Sequence, residues 1–539
     1  MYHNYFKLTQ LRNRLFLWTV IYLSAQSIHG QDLISGGILK PEQANMDVRH
    51  YTINLNVDIH NQMVDGFCEV DVIVINAAET VLLDLTNLLT VKEVWSNNHR
   101  LTFTHQNDLI RITAPFSAGR HKIKIIYAGK PGISANPPWT GGFQWATDSL
   151  GRPWVAITCQ GEGAKIYFPC KDHPSDEPNE GAELIITVPA PLVVAGPGVL
   201  INTFKKKNHI TYHWKTGYTI NNYCILFNIG YYQKVERTYT TVIGRRVPMV
   251  YYVLDYNLGR AEHHLNMLER SCRILEKYFG EYPWPNDKIG IAETPHLGME
   301  HQTMNAYGNK YRYTKVGGQD FDWLLHHEFG HEWWANKISN TDWAHMWLQE
   351  GFTVYGDMLY YREMEGESSY LNMIKNLALN AQNKLPIVQG EQIDSDQSYH
   401  GDIYGKAAHF VHSLRFIIGD EKFFPALKTL ATTPEFTFDN FVHTKQIQNF
   451  FSNVARKDLE PFFKLMLYTT NKLEIHVKQT KPTTYTIKIS NLTMELPLEI
   501  LDDDEIITLT VSQNPVTFES KTIPIIDPHY HYLRKIILE

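Results

Sequence analysis

The sequence predicts a multidomain α+β protein: an N-terminal all-β domain, a mainly helical middle domain and a small C-terminal β domain. Three observations carry this. The chain has 539 residues, more than a single hydrophobic core organises. Apolar and polar residues alternate from about Tyr51, and helical periodicity is missing until after residue 250. Period two then returns after Lys472. The expected boundaries are 1–30 for a processing signal, 31–237 for the first β domain, 238–470 for the helical domain and 471–539 for a C-terminal β-sandwich.

The N-terminus reads as a secretory signal peptide. Lys7, Arg12 and Arg14 precede an uncharged apolar run from Leu15 to Ala25. Those 11 residues are too few to span a bilayer, and small residues follow them. Cleavage after Gly30 is expected, which places the mature chain in a secreted or periplasmic setting. No other stretch looks membrane-spanning, so no stable span is expected after the signal is removed.

From Tyr51 the strands follow in turn. Tyr51 to Val57, Cys68 to Ile75, Val81 to Leu85 and Ile123 to Tyr127 are strand runs, and Asp65-Gly66 and Ala118-Gly119 are turns between them. One segment breaks the pattern: Thr158 to Ala164, continuing through Phe168-Pro169-Cys170-Lys171-Asp172. Its glycines and proline suggest a binding edge or, equally on pattern alone, a surface loop. Helices begin around Leu258. Leu265, Leu268, Cys272 and Leu275 give Ala261–Phe279 one apolar face, and Gly280 stops it. Beyond Lys472, Leu473 to Val477, Tyr485 to Ile489 and Ile506 to Val511 are strands; Asp502 to Glu505 reads as a solvated turn.

Composition narrows the function. The formal net charge is −7 and no long basic run appears, so no nucleic-acid partner is expected. Lys205-Lys206-Lys207 reads as an exposed hairpin turn. Of five cysteines none forms a CxxC pair, which argues against a cysteine zinc site. Cys159 and Cys170 could pair in an oxidising compartment; separate buried thiols are the simpler reading.

The most informative stretch is His327-Glu328-Phe329-Gly330-His331, followed after 18 residues by Glu350. On a helix, His327 and His331 project from one side and can hold one zinc ion. Glu350 would be the third ligand, leaving a fourth position open for water, as in a catalytic rather than a structural site. Glu328 points about 100° around the helix from His327 and suits the role of general base toward that metal-activated water. HExxH alone is a weak signal; Glu350 and its aromatic flanks make it a strong one. The alternative is two exposed histidines and a surface carboxylate on unrelated helices. His326 and His345 fit supporting or structural roles better than ligation.

These residues resemble the zinc aminopeptidases that include aminopeptidase N and leukotriene hydrolase. His327 to Asn336 and Trp347-Leu348-Gln349-Glu350-Gly351-Phe352 look like the HExxH-x18-E signature with its flanks. Leu297-Gly298-Met299-Glu300-His301 looks like the GxMEN exopeptidase motif, and Ile403-Tyr404-Gly405-Lys406 like the segment with the catalytic tyrosine. The Thr158–Asp172 segment resembles the loop lining the first side-chain pocket. The resemblance implies a thermolysin-like, mainly helical catalytic domain with one zinc ion per chain, held by His327, His331 and Glu350. It implies Glu328 and Tyr404 as catalytic residues. Glu300, Gln160, Gly298, Met299 and His301 would bind substrate, with Glu300 taking the free α-ammonium of a peptide. The implied activity is removal of N-terminal amino acids from peptides with a free N-terminus.

The motif departs from the family pattern at two positions, with Leu297 for the usual Gly and His301 for the usual Asn. A chain that stops after a small β domain, where many members carry a large helical one, leads to the expectation of a more open cleft. Two other functions stay open: a bifunctional epoxide hydrolase and aminopeptidase of the leukotriene-hydrolase type, and a non-catalytic binding scaffold.

Overall fold

The computed structural model describes residues 33–539; the expected signal segment lies outside them. Strand Met46–Asp58 pairs antiparallel with Met63–Val74 and parallel with Ala182–Pro189. Its inward positions Val48, Tyr51, Ile53 and Leu55 are buried while their neighbours are less so, as a pleated strand requires. These strands form the centre of an eight-stranded sheet, accompanied in the first body by a four-stranded and a three-stranded sheet. Val199–Lys206 and His209–Lys215 form a hairpin; Lys205 and Lys206 end its first strand, and of the expected lysine turn only Lys207, at φ 53°, lies in the turn itself.

The Thr158–Asp172 segment is not a surface loop. It leaves strand Pro153–Thr158 and turns inward, and Cys159, Tyr167 and Phe168 are fully buried. Lys165 pairs with Asp172 at 3.0 Å inside it. Gly163 sits at φ 87° against the Asp172 carboxylate, where a Cβ would fall 1.9 Å from an oxygen, so only glycine fits. All five cysteines, Cys159 and Cys170 included, are free and buried.

After Gly230 the chain enters a five-stranded sheet made of Tyr232–Thr240, Arg246–Leu254, Ile289–Glu293, Asn305–Tyr307 and the edge strand Gly298–Met299. The sequence reading had missed the last three strands. They are short, and Ile289–Glu293 is buried along its whole length, so no alternation marks it. Helix α1 (Ala261–Phe279) is amphipathic and ends at Gly280, φ 86°. Helices α2 (Trp323–Gly330), α3 (Trp347–Glu365), α4 (Glu367–Asn380) and α5 (Gly405–Ile418) follow. Asp322 caps α2 by accepting from the Leu325 amide. Helices α3 and α5 cross closely at Gly351, where a Cβ would meet that of Ala407 at 2.7 Å.

The C-terminal residues form a four-stranded and a three-stranded sheet. Leu473, Ile475 and Val477 from one, and Leu496, Leu498 and Ile500 from the other, join the same hydrophobic core as α5 residues Phe410 and Leu414. This β-sandwich is therefore fused to the helical body rather than tethered to it. Among the described residues no helix is long and apolar enough to cross a membrane.

Because every thiol is buried and unpaired, a thiol reagent should label essentially none of the cysteines in the native chain. After denaturation it should label all five, with or without prior reduction. Recovery of only three without reductant would indicate a disulfide.

Candidate metal centre and adjoining cleft

Helix α2 carries His327 and Glu328 inside its last turn, and His331 is its C-cap residue. The His331 amide still bonds back to the His327 carbonyl, which keeps both imidazoles on one side. Each Nδ1 is already engaged. His327 Nδ1 meets Asp357 Oδ2 at 2.9 Å; His331 Nδ1 lies 2.8 Å from the Trp334 carbonyl and 3.1 Å from Thr353 Oγ1. The two Nε2 atoms are thereby turned toward each other, 3.3 Å apart. Glu350, in the first turn of α3, places Oε2 at 3.7 and 3.5 Å from them.

These three atoms fit a zinc ion. Ligands on tetrahedral bonds of about 2.05 Å are separated by about 3.4 Å, which matches the observed spacings. Glu350 Oε2 is buried with no hydrogen-bond partner, an orphan that a cation would satisfy. The donor set, two imidazoles and a carboxylate, is one zinc accepts.

Electrostatics point the same way. Burial opposes charge on the imidazoles, yet Asp357 and Glu350 hold His327 well above the usual histidine range. His331 is likewise lifted to about 9 against its burial, mainly by Glu350. Burial would raise Glu350, but the two imidazoles outweigh it and bring its pKa to about 2. The site gathers positive charge by whatever means it has.

Glu328 lines the same cleft, with a carboxylate oxygen within 4.8 Å of donor atoms of His331 and Glu300. Burial, reinforced by Glu300 and Glu350 and opposed by the two imidazoles, raises it to about 8. Gly298 lies directly against it: a Cβ there would come within 2.8 Å of Glu328 Oε1 and 2.7 Å of Leu324 Cδ1. In the Leu297–His301 motif, a side chain at Gly298 would thus have to displace the ends of Leu324 and Glu328.

Glu300 follows the edge strand Gly298–Met299 and is 4% exposed. Its Oε1 accepts from Gln160 Nε2 at 2.5 Å and from the Tyr223 hydroxyl at 3.0 Å. Gln160 Oε1 in turn accepts from the Tyr399 hydroxyl at 2.6 Å. Burial raises the Glu300 pKa, Glu350 adds to this, and His331 opposes it. Tyr404, at the start of α5, belongs to the same group. Burial first, then Glu350, Tyr399 and Glu300, hold its hydroxyl protonated far above the usual tyrosine range.

The structure therefore brings together Gln160, Gly298, Glu300, His327, Glu328, His331, Glu350 and Tyr404. Met299 packs with the core of the first body. His301 stands apart: it is fully buried, its ring faces His296, and neither of its nitrogens has a partner. His326 hydrogen-bonds the Gly356 carbonyl and His345 the Thr444 hydroxyl, both in supporting positions.

Sequence reasoning overlooked Tyr223, Tyr399, Asp357 and Glu332. Asp357 was findable, since it lies seven residues after Glu350 and so on the same face of α3. Glu332 follows His331 and is completely buried. It accepts from Trp284 Nε1, the Thr303 amide, Asn305 Nδ2 and Asn336 Nδ2. It fastens the end of α2 to the segment that carries Glu300.

Asp357→Ala should weaken zinc binding by about 10–100-fold, because it removes the group that orients His327. Chelator competition on the purified chain measures this, and unchanged affinity would count against the assignment of Asp357.

The chain matches the Peptidase M1 N-terminal domain over residues 48–223 and the Peptidase family M1 domain over residues 263–466. It is 24% identical over 445 residues to leucine aminopeptidase 2 of Vanderwaltozyma polyspora, covering 78% of this chain and 62% of that protein. It is 27% identical over 219 residues to aminopeptidase N of Escherichia coli, covering 37% of this chain and 25% of the relative. Leukotriene A-4 hydrolase of Xenopus laevis is 23% identical over 330 residues, covering 58% and 51%. The chain thus spans about three fifths or less of the length of these curated relatives. Its fold matches the crystal structure of the M1 zinc metallopeptidase from Deinococcus radiodurans with a TM-score of 0.66 at 21% identity, covering 79% of this chain and 94% of that one. Two domain models in the expected order, joined to the metal centre described above, establish that the chain belongs to peptidase family M1.

Proposed function

We propose that the chain is a zinc-dependent aminopeptidase that hydrolyses N-terminal amino acids from peptides. The observation that carries this reading is Glu300. It is a buried carboxylate beside the metal centre, held by two neutral donors, with no lysine or arginine paired to it among the described residues. A buried anion so placed favours a cationic partner. The α-ammonium of a peptide is such a partner, and its capture at a fixed distance from the metal ligands limits cleavage to the first peptide bond. The names of the relatives, leucine aminopeptidase 2 and aminopeptidase N, support the same reading.

The residues divide the chemistry as follows. Zinc, one ion held by His327, His331 and Glu350, would polarise the scissile carbonyl and acidify water when bound. Glu328 takes a proton from the attacking water and passes it to the departing amine. Tyr404, which stays protonated, donates its hydroxyl to the oxyanion as the carbonyl becomes tetrahedral. Gln160, Tyr223 and Tyr399 hold Glu300 in place. Completeness of this set stands against a non-catalytic scaffold. Action outside the cytoplasm, secreted or periplasmic, is part of the proposal and rests on the basic and apolar N-terminal sequence.

A panel of unblocked and N-acetylated aminoacyl substrates tests the reading. Only the unblocked set should be hydrolysed, and a chelator should abolish that activity; comparable rates on the blocked set would overturn it. Glu300→Ala should lower kcat/KM for free-amine substrates by about 100-fold or more, the cost of removing one partner of a buried charge pair. Tyr404→Phe should lower kcat by about 100–1,000-fold while zinc content stays unchanged. Near-normal turnover in the Phe variant would remove Tyr404 from the mechanism.

A further inference from the structure

We propose a second divalent-cation site, suited to zinc, formed by Glu499, His529 and His531 where the C-terminal sandwich meets α5. The expectation of one metal per chain is thereby exceeded. Glu499 lies on strand Leu496–Asp502, and the two histidines lie on the loop that precedes the last strand. Their donor atoms all fall within 4.8 Å of one another. His529 Nδ1 is 2.7 Å and His531 Nε2 3.0 Å from the same oxygen, Glu499 Oε2. His531 Nε2 is buried and makes no aligned hydrogen bond despite that proximity. The two imidazole nitrogens converge on one carboxylate oxygen, which His529 Nδ1 also hydrogen-bonds, and the donor set is the one found at the candidate metal centre.

The surroundings prepare His531 to ligate. Its ring lies flat against Phe416, with centroids 3.6 Å apart and planes within 2°. Its Nδ1 meets His412 Nε2 at 2.9 Å, and His412 Nδ1 meets the Tyr370 hydroxyl at 2.7 Å. This chain accommodates the tautomer that a metal needs. With a proton on His531 Nδ1, that nitrogen donates to His412 Nε2. His412 Nδ1–H then donates to the Tyr370 oxygen, and Tyr370 donates onward to Tyr355 at 3.4 Å. His531 Nε2 is left as a free lone pair aimed at Glu499, with both rings neutral. Such outer partners are characteristic of built metal sites. The loop itself is pinned by the buried Asp527, which accepts from the His531 and Tyr532 amides and pairs with Arg534. His529 is about one-third exposed, so a cation can enter from that side and solvent can complete its coordination.

Zinc stoichiometry tests the proposal. The full chain is stripped with a chelator, dialysed against excess zinc and freed of unbound metal, and zinc per chain is counted by mass spectrometry. The expected result is two for the parent chain, one for His327→Ala, one for His529→Gln and none for the combined variant. Glu499→Gln should repeat the loss seen with His529→Gln, and circular dichroism establishes that each variant is folded. In His327→Ala, which retains only the proposed site, added zinc should raise the melting temperature. A parent chain that holds one zinc, a His529→Gln variant that still holds two, or an unmoved melting temperature in His327→Ala would each overturn the assignment. The His327→Ala arms keep this outcome separate from that of the catalytic centre.

Discussion

Four carboxylates, Glu300, Glu328, Glu332 and Glu350, are buried together in the cleft, and no lysine or arginine pairs with any of them among the described residues. Desolvated anions in that position are costly unless something answers them. Each is answered differently. Glu332 takes four neutral donors and becomes a structural tie. Glu350 is flanked by two imidazoles. Glu300 is held by an amide and a phenol. Glu328 has the least support from the protein and the clearest rise in pKa. The arrangement therefore suits positive charge: a dication between His327, His331 and Glu350 and, under the proposed reading, an ammonium at Glu300.

The elements around the cleft are best understood as sources of those donors. They come from separate parts of the chain. Gln160 and Tyr223 belong to the first β body, Glu300 to the segment just after an edge strand of the second, His327 to α2 with His331 at its C-cap, and Glu350 to α3. The Asn221 side chain donates to the Ala335 carbonyl, and Lys288 reaches the Gly196 carbonyl, stitching the bodies together beside the site. Close helix packing at Gly351 sets the depth at which the neighbouring Glu350 sits.

How much of this was readable beforehand depended on sequence distance. His327, His331 and Glu350 lie within 24 residues of one another and are bound by helical geometry, so spacing alone indicated their convergence. Tyr404, Glu300 and Gln160 carried no such local signal and were reached through resemblance. Tyr223 and Tyr399 were missed because they act across 77 and 239 residues, on partners that only the tertiary fold supplies. In the second sheet, Ile289–Glu293 was missed because full burial erases the alternation by which strands are recognised, and Gly298–Met299 and Asn305–Tyr307 because they are so short. The irregular Thr158–Asp172 segment could be read as a binding edge or as exposed, and its aromatic and cysteine side chains settle the matter in the interior.

The metal-ligating residues on α2 and α3 and the Gln160 and Tyr223 side chains that hold Glu300 lie in different stretches of the chain. Under the proposed aminopeptidase reading, substitutions around Gln160 and Tyr223 would change the setting of Glu300 without touching the metal-ligating residues on α2 and α3.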